Sequence, residues 1–336
     1  MTNHAADPAS ESSSLGISVV IPVYNEVDSL TELHLKVTES CLALGRGYEI
    51  IVVDDGSDDG SRERLAALAA TDPHLHIIEF RRNFGKSSAL AAAFDRVRGE
   101  IVVTLDADLQ DDPKMIADFV DRIDAGADLV SGWKRRRHDP IGKTVPSRVF
   151  NSLVRMLTGI PLRDFNCGFK AYRIECVREL NVYGGFHRFL PVLAHAKGFH
   201  IEELVVQHRA RQHGTSKYGI TRFFDGVMDL LTVLLVTRFR TRPLHFFGIP
   251  GAILGSCGLA ILSYLSVLWI LGETIGSRPL LTLGVLLTVT AFQFGCIGLL
   301  GELLVRTTIT SKEMFSIRPP QQSRTVPSAP EHAPPP

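Results

Sequence analysis

Two long apolar runs near the C-terminus constrain this chain more than any other feature. They are Leu244–Leu271 and Leu280–Val305, and each contains few charged residues. Each run exceeds the roughly 20 residues that an α-helix needs to cross the hydrocarbon core of a bilayer. The connector Gly272–Arg278 is short. The sequence therefore predicts a transmembrane hairpin of two helices over residues 244–306.

Basic residues flank both predicted spans. Three arginines precede the first span, and Arg306 and Lys312 follow the second. The connector carries one arginine and one glutamate. Because cytoplasmic flanks are enriched in Lys and Arg, we expect an integral membrane protein with both termini in the cytoplasm.

The segment 220–243 lies between the hairpin and the rest of the chain. Its apolar side chains fall on one helical face: Phe223, Phe224, Val227, Met228, Leu230, Leu231 and Leu234. This spacing is typical of a juxtamembrane amphipathic helix at the bilayer surface. A core helix fits the first half of the segment almost as well.

Composition limits the remaining possibilities. The 336 residues include 36 basic and 36 acidic ones, so the zero net charge argues against nucleic-acid binding. The five cysteines are scattered and favour a reducing compartment. Residues 1–15 lack the features of a signal peptide and are predicted to be disordered, as is the Pro-rich tail, residues 307–336. This leaves residues 16–219 for one folded domain.

That domain begins with an alternation of apolar strands and helices. The predicted strands are Ile17–Tyr24, Tyr48–Val53, Leu75–Phe80 and the run from Ile101 to Leu105, with helices between them. Such an alternation indicates an α/β fold with a doubly wound, mainly parallel sheet. Polar residues follow each strand, so we expect them to converge at one edge of the sheet. A dinucleotide-binding fold is disfavoured because no GxGxxG follows the first strand.

Two carboxylates one residue apart follow the fourth strand. Asp106, Asp108 and the Gln110 amide are hard oxygen donors, which suit Mg²⁺ or Mn²⁺. A cation held there could bind the diphosphate of a nucleotide-sugar. The alternative is a solvated acidic loop that caps the next helix.

Basic residues are concentrated at three later places. Lys134–Arg137 follows another strand end, Arg148 opens a predicted helix, and Arg209–Tyr218 forms a basic loop around a glycine. A phosphate partner would explain them. A solvated charged face is the usual alternative for such a run.

Six motifs in order resemble the family 2 glycosyltransferases of the GT-A fold. They are Pro22–Glu26, Asp54–Gly60, Arg82–Lys86, Asp106–Gln110 with Pro113, Asp164–Gly168 and Arg211–Lys217. With the terminal hairpin, the chain is most similar to the branch that glycosylates polyprenyl or dolichol phosphate. Processive polymer synthesis is disfavoured, because no QxxRW motif is present.

The resemblance implies a role for each matched residue. The implied metal ligands are Asp106, Asp108 and Gln110, with Mg²⁺ or Mn²⁺ as the cofactor. The implied nucleoside-binding residues are Pro22, Tyr24, Glu26, Asp54 and Asp55. Arg82 and Lys86 would flank the same pocket, although Lys86 could equally be a solvated charge at a helix start. The candidates for the lipid phosphate are Arg135, Arg136, Arg148, Arg211 and Lys217, and Asp106, Asp108 and Arg211 would be catalytic.

The implied activity is inverting transfer of a sugar from a UDP-hexose or GDP-mannose to a polyprenyl phosphate. Two alternatives remain open, which are another membrane lipid as acceptor and a nucleotide-sugar-binding protein without turnover. Relatives in the branch assemble into tetramers, so the resemblance is compatible with a homo-oligomer. The sequence leaves open the sugar, the nucleotide and the polyprenyl length.

Overall fold

The computed structural model describes residues 15–135, 141–207, 221–276 and 278–308, with the backbone alone for residues 141–146, 148, 221–224 and 306. Three predicted site residues, Arg136, Arg211 and Lys217, lie outside the described residues, and the side chain of Arg148 does too. The predicted tails lie almost entirely outside them.

Seven strands form one sheet. They are β1 (Ile17–Val23), β2 (Tyr48–Asp54), β3 (Leu75–Glu79), β4 (Ile101–Thr104), β5 (Leu129–Trp133), β6 (Lys170–Arg173) and β7 (Ile201–Val205). The sheet order is β3-β2-β1-β4-β6-β5-β7. All neighbouring pairs are parallel except those of β6, which runs antiparallel to β4 and β5. The prediction of a mainly parallel sheet is confirmed, and the antiparallel strand is an addition that the sequence did not indicate.

Ten α-helices lie in the described ranges. They are α1 (Val27–Ala43), α2 (Ser61–Ala69), α3 (Lys86–Phe94), α4 (Ile116–Asp124), α5 (Ile141–Thr158), α6 (Ile174–Glu179), α7 (Leu190–Ala196), α8 (Thr221–Thr237), α9 (Pro243–Ile270) and α10 (Pro279–Thr308). Short 3₁₀ turns at Pro113–Met115 and Phe186–Arg188 precede α4 and α7. Helix α3 begins directly after Gly85, which has φ 90°, and ends before Asp95.

The sheet carries a separate hydrophobic core on each face. Alternate residues of β1 point to opposite sides, so Val19 belongs to one core and Val20 to the other. Helices α1 and α4 cover the first face, and α3, α6 and α7 cover the second. A helix layer on both faces is what a buried parallel sheet requires.

Helix α8 joins a third core. Its residues Leu230, Val233 and Leu234 are buried with side chains of α5 and α7, whereas Met228 and Leu231 on the same helix are exposed. The face of α8 that carries Leu230, Val233 and Leu234 is therefore part of the protein core. The exposed apolar residues remain consistent with a bilayer surface.

Helices α9 and α10 form the predicted hairpin. Both are long and apolar enough to cross a membrane, over Pro243–Ile270 and Pro279–Val305. Glycines bring their backbones together, since a Cβ at Gly251 would lie 3.2 Å from the carbonyl oxygen of Ala291. Such small residues are common where membrane helices pack closely.

Candidate active site

The loops after β1 and β2 are joined at the carboxyl edge of the sheet. The Asn25 amide donates to Asp58 at 2.7 Å, and the Asp58 backbone N–H donates to the Asn25 side-chain oxygen at 3.0 Å. Asn25 has φ 57°, a left-handed conformation that asparagine tolerates. The backbone N–H of Glu26 donates to Ser61 at 3.1 Å. These bonds hold the two residues that follow Tyr24, whose side chain is 36% exposed.

Asp54 and Asp55 are both buried and hydrogen-bonded within the protein. Asp54 accepts from the backbone N–H of Ser57 at 3.1 Å. Asp55 accepts from the backbone N–H groups of Phe84 and Gly85 at 2.7 and 2.9 Å. Burial raises the pKa of Asp55, although these two amide bonds oppose the rise. Both carboxylates thus hold the loops around the predicted nucleoside pocket, and their contact with a nucleoside stays a prediction.

The turn from β3 to α3 lies against the turn after β2. Gly56 has φ 73°, and a Cβ added there would lie 2.7 Å from the Cα of Arg82. The Arg82 guanidinium lies 4.8 Å from the centre of the Phe84 ring. The two sequence motifs that carry Asp55 and Lys86 are therefore adjacent in space.

Lys86 and Asp106 form an ion pair between the loop after β3 and the loop after β4. The Lys86 ammonium donates to Oδ1 of Asp106, and the two side chains are 31% and 32% exposed. Burial would raise the pKa of Asp106, but Lys86, Lys134 and Lys170 together lower it below its ordinary value. Asp106 is therefore ionised at neutral pH, and Lys86 lies at the site as well as at the start of α3.

Gly168 packs directly on the Asp106 carboxylate. A Cβ added at Gly168 would lie 2.6 Å from Cγ of Asp106. The Thr104 hydroxyl donates to the carbonyl of Gly168 at 2.9 Å and fixes this approach. The segment Asp164–Gly168 therefore forms one wall of the site.

Lys170 is buried behind this wall. It is 2% exposed, and its ammonium donates to the carbonyl oxygens of Cys167 and Phe165. Burial lowers the pKa of Lys170 to about 8. Sequence reasoning missed this residue, because the four residues of β6 carry no apolar run that would reveal a buried central strand.

Lys134 pairs with Asp111 at 3.1 Å, and the two side chains are 13% and 1% exposed. Burial would lower the pKa of Lys134, but the neighbouring groups Cys167, Asp111 and Asp106 raise it above its ordinary value. The sequence grouped Lys134 with the arginines that follow it. The structure separates them, because Lys134 points inward and Arg135 is exposed.

Asp108 and Gln110 lie on the loop just after Asp106. Oδ1 of Asp108 accepts from the backbone N–H of Gln110 at 3.3 Å, and Leu109 between them has φ 57°. This set of oxygen donors fits a divalent cation. Within the described ranges no three His, Cys, Asp or Glu side chains meet at one point. The remaining ligands would therefore be amide, water and phosphate oxygens, as is usual for Mg²⁺.

An aromatic side chain with two arginines lies at the end of β5. The guanidinium of Arg163 lies 4.3 Å from the centre of the Trp133 ring, and that of Arg135 lies 6.0 Å from it. Gly132, the preceding residue, packs against Cys167, since a Cβ added there would lie 2.8 Å from the sulfur. The arginine pair is thus next to the wall that covers Asp106. Sequence reasoning named Arg135 and missed Arg163.

Comparison with known proteins identifies the family of the chain. The profile of glycosyl transferase family 2 matches residues 18–180. A dodecaprenyl-phosphate galacturonate synthase from Rhizobium johnstonii is 38% identical over 300 residues, which cover 88% of this chain and 89% of the relative. The chain belongs to glycosyl transferase family 2. An undecaprenyl-phosphate 4-deoxy-4-formamido-L-arabinose transferase from Pseudomonas fluorescens is 36% identical over 319 residues, or 94% of this family 2 chain and 92% of the relative.

Solved structures share the fold of this glycosyltransferase. Mannosyl-3-phosphoglycerate synthase from Rubrobacter xylanophilus superposes with a TM-score of 0.53 at 18% identity, covering 66% of this chain and 74% of that one. Glucosyl-3-phosphoglycerate synthase from Mycobacterium tuberculosis was solved with Mn²⁺, UDP and phosphoglyceric acid. It superposes with a TM-score of 0.52 at 22% identity, covering 66% of this chain and 78% of that one. The GT-A fold predicted from the sequence is confirmed.

Proposed function

We propose that this enzyme transfers a sugar from a nucleotide-sugar to a polyprenyl phosphate, with its active site on the cytoplasmic side of the membrane. The observation that carries the proposal is that two polyprenyl-phosphate sugar transferases match 88% and 94% of this chain. Both relatives are named for a sugar joined to a polyprenyl phosphate. The donor is a UDP-hexose or GDP-mannose.

The donor end of the site is the cleft between the loops after β1, β2 and β4. Asp55 holds the turn that carries Lys86, and Lys86 reaches Asp106. Asp106, Asp108 and Gln110 are the proposed ligands of Mg²⁺ or Mn²⁺, which when bound would supply Lewis-acid neutralisation of the departing diphosphate. Lys86 adds a positive charge on the same side.

The acceptor end is the basic surface near Trp133. A lipid phosphate is already anionic, so the enzyme needs to position it rather than deprotonate it. Arg135 and Arg163 are exposed, and within the described part of the chain neither guanidinium lies within 4.0 Å of a carboxylate. We assign both to the acceptor phosphate, together with the sequence candidates Arg136, Arg148, Arg211 and Lys217. In-line attack at the anomeric carbon inverts its configuration.

The test is a donor panel. Membranes that contain the full-length protein are incubated with polyprenyl phosphate and each of several labelled UDP- and GDP-sugars, and lipid products are identified by mass. We expect one donor to give a polyprenyl-phosphate sugar, and the same membranes with Asp108→Ala to give almost none. Transfer to diacylglycerol or a sphingoid lipid instead would contradict the acceptor assignment.

A further inference from the structure

The Lys86 ammonium occupies Oδ1 of Asp106, one of the two carboxylate oxygens that could bind a cation. We propose that Lys86 holds the place of the cation on Asp106 until a nucleotide diphosphate arrives, so that cation and nucleotide enter the site together. This inference rests on the proposed function, in which Asp106 ligates the cation. It adds an order of binding and a second role for Lys86.

The position of Lys86 allows such an exchange. It is the first residue of α3, and the preceding Gly85 has φ 90°. Its backbone is anchored, because Asp55 accepts from the Gly85 backbone N–H at 2.9 Å. The side chain itself is about a third exposed, as is that of Asp106. The ammonium can therefore leave Asp106 while the turn stays in place.

The other two lysines near Asp106 are held elsewhere. Lys134 is paired with Asp111, and Lys170 is buried against the carbonyl oxygens of Cys167 and Phe165. In the described part of the chain, Lys86 is the lysine that contacts the Asp106 carboxylate directly. It is therefore the cation that competes most directly with a metal ion for Oδ1 of Asp106.

Electrostatics then determines the order of binding. A metal ion on Asp106 would repel the Lys86 ammonium, and moving Lys86 into water would break a charge-assisted hydrogen bond. A nucleotide diphosphate supplies a new anionic partner for Lys86 and further oxygen ligands for the metal ion. The cation should therefore bind weakly alone and tightly with the diphosphate.

The experiment measures Mn²⁺ binding rather than sugar transfer. The full-length protein is purified in detergent, freed of metal with a chelator, and titrated with Mn²⁺ while electron paramagnetic resonance follows the free ion. Wild type, Lys86→Gln and Lys86→Arg are compared, each alone and with UDP or GDP. Circular dichroism checks that each variant is folded, and Asp106→Asn identifies binding at this site.

We expect Lys86→Gln to bind Mn²⁺ alone about tenfold more tightly than wild type, because a neighbouring positive charge is removed. Lys86→Arg should match wild type, and the nucleotide should tighten Mn²⁺ binding more in wild type than in Lys86→Gln. Equal Mn²⁺ affinity in wild type and Lys86→Gln would overturn the inference and leave the proposed function standing. Absence of Asp106-dependent Mn²⁺ binding in every sample, with nucleotide present, would overturn both.

Discussion

The α-carbon of Gly168 lies against the carboxylate of Asp106, so closely that an added Cβ would be 2.6 Å from the Asp106 Cγ. Real Cβ atoms do not approach other atoms at this distance, so a side chain at position 168 must displace Asp106 or the wall of the site. This contact explains why the last residue of the segment Asp164–Gly168 is a glycine, because any larger side chain would clash with Asp106.

Gly168→Ala should therefore reduce sugar transfer about 10²-fold, since a misplacement of about 1 Å near the reacting groups has that effect. The measurement is the initial rate of lipid-linked sugar formation in membranes with equal amounts of protein. Gly276→Ala is the matched control, because a Cβ at Gly276 meets no atom within 4 Å. A Gly168→Ala enzyme as active as the control would show that the contact is unimportant.

We expect Asp55 to affect binding of the nucleotide-sugar by holding the turn that contains Phe84 and Gly85. Asp55→Ala leaves the backbone N–H groups of Phe84 and Gly85 without their acceptor, which costs about 1–3 kcal/mol of stability. We expect a lower Tm and a higher KM for the nucleotide-sugar, with KM for the lipid unchanged. Asp95→Ala, at an exposed acid near the end of α3, is the control. An unchanged donor KM would contradict this role.

Lys170 should give stability a specific dependence on pH. Its pKa is about 8 in the folded protein and 10.5 ordinarily. Between these values the unfolded chain binds more protons than the folded one, so the contribution of Lys170 to stability rises with pH. Below about pH 8 the folded state bears the full cost of a charged, buried lysine.

The measurement is the Tm of wild type and Lys170→Met in detergent at about pH 7 and about pH 10. The difference in Tm should shift in favour of wild type as pH rises. Lys114→Met, at an exposed lysine, controls for the loss of a lysine in general. A difference between wild type and Lys170→Met that does not change with pH would contradict the assigned pKa.

Residues that directly follow strands could be located from the sequence. Asp55 and Asp106 follow β2 and β4, the two parallel strands on either side of β1, and Lys86 begins a helix that covers the same sheet. Their convergence therefore followed from the strand pattern. The positions of Lys170 and Gly168 beside Asp106 could not be predicted from the sequence. They depend on β6 inserting antiparallel between β4 and β5, a pairing between distant segments that the sequence Lys170–Arg173 does not indicate.

For the basic run after β5, the sequence also could not predict which side chain each charged residue contacts. The sequence presents Lys134 and Arg135 as equivalent charges. Lys134 is mostly buried and pairs with Asp111, whereas Arg135 lies beside Trp133 with Arg163 from a distant loop. The pairing of each charge depends on tertiary contacts, and no local pattern predicts it.

Arg163 should contribute to use of the lipid acceptor and not of the donor. Loss of a charged hydrogen bond to the acceptor phosphate should raise KM for polyprenyl phosphate about tenfold in Arg163→Ala. Mn²⁺ and nucleotide binding should be unaffected. Arg178→Ala, at an exposed arginine on α6, is the control for net charge. An unchanged acceptor KM, or a selective rise in donor KM, would remove Arg163 from the acceptor site.

The measurement that tests the central claim most directly uses purified full-length protein. It is mixed with polyprenyl phosphate, Mg²⁺ and each nucleotide-sugar of the panel, and the lipid fraction is analysed by mass spectrometry. The account predicts a product whose mass is polyprenyl phosphate plus one sugar, formed by wild type and abolished by chelation or by Asp106→Asn. A panel that yields no lipid-linked sugar, or a product that persists undiminished in Asp106→Asn, would contradict it.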